Sequence, residues 1–185
     1  AALILWNAVL EWNDQHVQAL LSRATRATGA EAARLAQLVE VCRRVPRYPA
    51  RTFHEAVQSF YFVHLAVIFE DPDCGNCPGR LDYLLWPYLE RDLAAGRTTL
   101  EQAKELIDEL FIRFEERLHD EDLCVEAIMT GGIGPDGASS VNPLSHILVQ
   151  SIGALDQPHP AVYTRLSKDG PESFLDLCGL PPSPP

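Results

Sequence analysis

The chain has 185 residues, 46% hydrophobic and 22% charged, an ordinary balance for one globular domain or a piece of a larger one, and unlike a disordered segment. Its 26 acidic residues against 15 basic ones give a formal charge of -11, which excludes the basic footprint of a nucleic-acid or anionic-membrane surface. The 5 cysteines, odd in number and unevenly spaced, read as free thiols of a reducing cytoplasm rather than a disulfide framework.

The chain opens AALILWNAVLEW, apolar but without the basic leader of a signal peptide, and reads as a helix cut at an arbitrary point. Apolar residues at helical spacing (Leu3, Trp6, Leu10, Val17, Leu20, Leu21) predict a helix to about Ala27. A second helix is expected from Ala30 to Arg44, stopped by Pro46 and Pro49, with Arg43 and Arg44 suited to its C-terminal dipole. The third, Arg51 to Phe69, is apolar on almost every face, with Gln58, Ser59 and His64 the polar residues after Glu55. Thr52 and Glu55 suggest a capping box at its start. Such a helix is expected to be enclosed on all sides, as the centre of a sizeable core, and is too short and interrupted for a membrane span.

The stretch Asp71 to Gly79 is a turn-rich loop. Helix resumes from Leu81 to Ala95, closed by Gly96. Thr98 and Glu101 suggest another capping box, opening an amphipathic helix to about His119 with the stripe Leu100, Ala103, Leu106, Ile107, Leu110, Phe111 and Phe114. After the acidic break Asp120 to Asp122, Leu123 to Thr130 reads as a short buried strand. A glycine turn, Gly131 to Gly137, leads to a helix from about Ser140 to Ala154, where Pro143 is tolerated in the first turn. His159 to Leu166 alternates as a second strand, and a last helix ends near Cys178. The proline-rich residues 179–185 are expected to be disordered.

Gly132-Ile133-Gly134-Pro135-Asp136-Gly137 matches the dinucleotide-binding pattern, with Asp156 at the expected later acid position. The absence of a βαβ series and the proline at 135 favour a plain glycine-rich turn. Cys74-Gly75-Asn76-Cys77 before a helix resembles a thiol-disulfide motif, in which a helix N-terminus would lower the first thiol's pKa. A redox domain would feed that motif from a strand, and a zinc site would need a second cysteine pair, so two free loop thiols are the default. Cys124 lacks a visible positioned base, and His64 reads as a core histidine.

The order of segments says more. VCRRVPRYPARTFHEAVQSFYFVHLA, CPGRLDYLLWPYLERDLAAGRTTLEQAKELIDELFIRF, IMTGGIGPDGASSVNPLSHILVQSI and PAVYTRLSKDGPESFLDL together resemble the pyruvate formate-lyase (PFL) domain of the glycyl-radical enzymes, from about Val41 to Leu177. The resemblance implies an α/β fold, a ten-stranded barrel of two five-stranded half-sheets wrapped by helices. This chain would supply helices and about two short buried strands of it, with residues 1–178 a partial PFL domain from the N-terminal to middle portion. In that family a glycyl radical, installed by an S-adenosylmethionine-dependent activating enzyme, abstracts hydrogen from a cysteine, whose thiyl radical attacks a small-molecule substrate. The reactions are C–C, C–O or C–N cleavages of anaerobic metabolism, including those of formate C-acetyltransferase, dehydratases and choline-lyase, in a cytoplasmic homodimer without nucleic-acid or membrane partners. Such radicals need a dry, enclosed chamber.

The radical cysteine and glycine segments of the family have no match here, and Cys124-Val125-Glu126 has Leu123 where the family has glycine. The resemblance therefore implies no catalytic residue, no metal and no cofactor within the chain, and no turnover by the chain alone. Pro78, Gly79, Arg80 and Asp82 match the family pattern after a substrate-pocket loop, whose candidates are Cys74, Gly75, Asn76 and Cys77. Dehydratases carry a His-Ser pair in that loop, where this chain has Cys74 and Gly75. The rival readings are a non-catalytic helical interaction module and a thiol-redox protein using Cys74 and Cys77.

Overall fold

The computed structural model describes residues 2–70, 77–116 and 126–179, which fall into two compact units, Ala1–Glu70 and Asp71–Pro185. The first unit is three helices, α1 (Ala2–Ala24), α2 (Gly29–Arg44) and α3 (Phe53–Glu70). Asn13 is buried in α1 and donates Nδ2 to the Cys42 carbonyl at 2.8 Å, tying α1 to the end of α2. Trp12 lies 4.5 Å from the Phe62 ring centroid and meets Phe69 edge-on. Burial pushes the Cys42 thiol pKa up to about 11. His64 is buried and stacks on Phe60, as expected of a core histidine.

Two expectations for this unit need correction. The α3 helix is not enclosed all round: Phe53, Ala56, Val57 and Phe62 are buried, whereas Val67 and Phe69 are exposed, Phe69 at 61%. Its start is also only half a capping box. Thr52 Oγ1 accepts from the Glu55 amide at 3.2 Å, but the Glu55 carboxylate turns to Arg51, accepting from its amide at 2.7 Å and its guanidinium at 2.9 Å. An arginine within reach offers a charged donor that the Thr52 amide cannot rival. On α1, Leu3, Ile4 and Leu5 are exposed, and Val17 is the residue of the predicted stripe that is buried.

The second unit alternates strands and helices: β1 (Gly79–Arg80), α4 (Leu81–Ala94), α5 (Leu100–Glu115), β2 (Ala127–Gly131), α6 (Pro143–Leu155), β3 (Ala161–Arg165) and α7 (Glu172–Leu177). The strands form one parallel sheet in the order β1-β2-β3, with Arg80 opposite Met129 and Gly131 opposite Arg165. Parallel neighbours require long crossovers, which here carry helices. Helices α4 and α6 pack on β2, and α5 packs on α6. Ile128 and Thr130 are fully buried on the helix side of β2, with Leu81, Leu85, Leu89, Ile107, Phe111, Phe114, Leu144, Leu148 and Phe174 completing the core.

Among the described residues the sheet has three strands, where about two were expected, and it is not buried on both faces. Met129 and its β3 partner Tyr163 are 38% and 58% exposed. The α5 cap is one residue later than expected: Thr99 Oγ1 accepts from the Gln102 amide at 3.2 Å, and Gln102 Oε1 accepts from the Thr99 amide at 3.1 Å. Helix α6 begins at Pro143, after an Asn142 cap, rather than at Ser140. The predicted strand residues Leu123 to Val125 and the tail 180–185 lie outside the described residues.

Candidate functional site

The site forms where β1, β2 and the N-terminus of α6 converge, and its centre is the carboxylate of Asp82. Asp82 stands in the first turn of α4, where a carboxylate suits the helix dipole, and it is completely buried. Its Oδ1 accepts from the Tyr83 amide at 2.8 Å. Its Oδ2 accepts from the Gly131 amide at 2.7 Å, Thr130 Oγ1 at 2.9 Å and Ser145 Oγ at 2.7 Å. A buried carboxylate is tolerable only when its lone pairs are met, and here four donors meet them. One side chain thus joins the start of α4, the end of β2 and the first turn of α6.

The end of β2 is shaped to allow this. Gly131 and Gly132 have φ of 74° and 87°, left-handed values that favour glycine. A Cβ on Gly131 would stand 2.6 Å from the Arg165 carbonyl oxygen, so no side chain fits there. At α6, Asn142 Oδ1 accepts from the Leu144 and Ser145 amides, and Ser145 Oγ accepts from the Asn142 amide at 3.1 Å, completing a reciprocal cap. Pro143 at the first helical position needs no partner for an amide it lacks.

Arg80 closes the other side. Its Nη1 donates to the Ile133 carbonyl at 3.2 Å and its Nη2 to Ser140 Oγ, while the guanidinium lies 5.0 Å over the Tyr83 ring. Ser140 Oγ also lies at hydrogen-bond distance from the carbonyl oxygens of Gly131, at 3.2 Å, and Gly132, at 3.0 Å. The glycine-rich motif is a turn closed on itself: the Gly134 amide bonds the Ala138 carbonyl, the Gly137 amide the Gly134 carbonyl, and Ile133 bridges Ser139. Helix α6 starts well beyond it, and the Gly134 and Gly137 amides are spent within the turn rather than offered to a pyrophosphate.

Of the residues singled out from sequence, Gly79, Arg80 and Asp82 come together with Thr130, Gly131, Ser140, Asn142 and Ser145. Pro78 is half-buried just before β1, and Cys77 is exposed. Cys74, Gly75 and Asn76 lie outside the described residues. Cys77 precedes a strand rather than a helix N-terminus, since α4 begins at Leu81. Among the described residues no group of His, Cys, Asp and Glu is arranged to hold a metal ion, and no helix is long and apolar enough to cross a membrane. Sequence reasoning missed Thr130, Ser140, Asn142 and Ser145, although Asn142-Pro143 was a usable signal, an N-cap residue followed by proline at the first helical position.

The comparisons with known proteins agree with this architecture. The family model PFL-like, Pyruvate formate lyase-like, matches residues 1–180. The chain belongs to this family of glycyl-radical enzymes. It is similar to trans-4-hydroxy-L-proline dehydratase of Clostridioides difficile, 32% identical over 148 residues that cover 74% of this chain and 19% of the relative. It is also similar to isethionate sulfite-lyase of Nitratidesulfovibrio vulgaris, 29% identical over 191 residues, covering 95% of this chain and 23% of the relative. The crystal structure of a glycyl radical enzyme from Archaeoglobus fulgidus superposes with a TM-score of 0.88 at 27% identity, covering 93% of this chain and 24% of that one. The chain thus spans about a fifth to a quarter of the length of these relatives.

Proposed function

We propose that this chain is one wall of the substrate chamber of a glycyl-radical lyase or dehydratase, and that its parallel sheet belongs to the ten-stranded barrel of the family. The observation that carries the reading is the Asp82 network, which locks the C-terminal edge of a parallel sheet whose opposite face, at Met129 and Tyr163, is bare. A rigid edge suits a site that must hold reacting atoms in place. The bare face would line the dry interior that radical intermediates need. Residues 1–178 are read as part of a PFL domain and 179–185 as a tail beyond it.

In this reading Cys74, Gly75, Asn76 and Cys77 remain the substrate-pocket loop candidates, followed by the family-pattern residues Pro78, Gly79, Arg80 and Asp82. The reaction is a radical cleavage of a C–C, C–O or C–N bond, with the radical held on a glycine and passed through a cysteine on segments outside this chain. A separate S-adenosylmethionine-dependent activating enzyme would install that radical, in a cytoplasmic homodimer. The two curated relatives are named as a dehydratase and a sulfite-lyase, which favours a lyase or dehydratase over acyl transfer to formate.

The test is electron paramagnetic resonance after anaerobic activation with S-adenosylmethionine and an activating enzyme. A longer polypeptide containing this segment is expected to develop a glycyl-radical doublet, and the 185-residue chain none. A doublet from the short chain, or none from the longer protein, would sink the reading.

A further inference from the structure

Helices α6 and α7 pack together in the second unit, and at their contact His146 Nε2 lies 3.3 Å from Ser173 Oγ. The other ring nitrogen, Nδ1, stands 3.2 Å from the Asn142 carbonyl oxygen. That oxygen can only accept, so in the neutral ring Nδ1 carries the proton and Nε2 keeps its lone pair for the serine. The almost wholly buried Phe174 meets the imidazole edge-on, with ring centroids 5.2 Å apart, and holds its plane.

Ser173 is exposed, whereas His146 is half-buried. A serine at a helix start usually serves the helix's own amides, but Pro171 holds the cap position here and no side chain caps α7. The Ser173 hydroxyl is therefore directed to the imidazole rather than to its own backbone. His16 provides the contrast. Its Nδ1 likewise faces the carbonyl of the residue four before it, Trp12, but its ring packs on Trp12 and Phe62. A hydroxyl on a base that a third group orients is the arrangement that makes serine nucleophilic. Neither Ser173 nor His146 takes part in the Asp82 network.

We propose that Ser173 is a nucleophile activated by His146 and that it accepts the acyl group of an activated ester. Ser173 Oγ attacks the carbonyl carbon while its proton passes to His146 Nε2. The bond from that carbon to the ester oxygen then breaks, and the leaving oxygen takes the electron pair and the proton from the imidazolium. The products are an ester of Ser173 and a free alcohol. This activity is separate from the radical chamber, and neither reading depends on the other.

The test is reaction of the 185-residue chain with 4-nitrophenyl acetate, following nitrophenol release by absorbance and locating the acetyl group by mass spectrometry. The acetyl group is expected on Ser173, and Ser173→Ala, a change at an exposed position, is expected to abolish it. In His146→Gln the amide oxygen can still accept from the hydroxyl but cannot take up its proton, so acetylation of Ser173 should slow about 100-fold. Acetyl groups confined to Lys104, Lys168, the N-terminus or the His146 ring of the wild-type chain would overturn the proposal. Equal rates at Ser173 in the wild type and His146→Gln would do so too, since they would leave the histidine a packing role alone.

Discussion

At the scale of single residues, Asp82 shows how the oxygens of a buried carboxylate are satisfied. Two of its partners, the amides of Tyr83 and Gly131, can only donate, so both carboxylate oxygens must accept. Asparagine supplies one acceptor and one donor, so Asp82→Asn leaves an amide of Tyr83 or Gly131 facing another donor. The hydroxyls of Thr130 and Ser145 can rotate and soften the loss, but neither amide can. Asp82→Asn is expected to lower unfolding free energy by about 1–2 kcal/mol and Asp82→Ala by about 3 kcal/mol, measured by urea denaturation. Gly131→Ala meets both a positive φ and the Arg165 carbonyl, and should cost about 3 kcal/mol in the same measurement. An alanine variant within 0.5 kcal/mol of wild type, an ordinary surface effect, would show that the turn relaxes freely.

At the scale of elements, the helices were legible because their apolar residues recur at helical spacing, and α2, α4 and α6 came within a few residues of their observed bounds. The strands were harder for physical reasons. A two-residue strand such as β1 has no alternation to read, and Gly79-Arg80 has no marked strand preference. It is recruited by pairing with β2, a contact between residues far apart in sequence. Asp82 was legible as a family-pattern residue but not as a hub, because an acid in the first turn of a helix needs no further explanation. The α3 start was misread for a related reason: spacing suggested Thr52 as the partner of Glu55, and Arg51, one residue earlier, took the carboxylate.

That exchange has a pH consequence. Burial raises the Glu55 pKa, but hydrogen bonds from the Arg51 side chain and backbone, with the charges of Arg51 and Arg44, outweigh it and leave the value below the ordinary 4.5. Glu55 therefore stabilises the fold above that ordinary value, and the contribution is lost as pH falls through the lowered folded one. Glu55→Gln should be less stable than wild type by about 1 kcal/mol at pH 7, and the gap should close as the pH drops below 4.5. Thermal melts across that range would show it, and a gap independent of pH would rule out the ion pair as the cause.

For the molecule as a whole, the sequence marked the family through the order of its segments, while the sheet edge appeared only once three strands were brought side by side. Its bare face is the opposite of what a short apolar strand suggests, since alternation along β2 sends Ile128 and Thr130 to the helices and Met129 away from them. One buried carboxylate locks that edge, and a loose edge could not hold Arg165 against Gly132. Amide hydrogen exchange, read at single residues, tests this most directly. The Gly131 amide, which donates to Asp82, should exchange as slowly as the centre of β2 in the wild-type chain and lose that protection in Asp82→Asn. Exchange of Gly131 at open-loop rates in the wild-type chain would contradict the account.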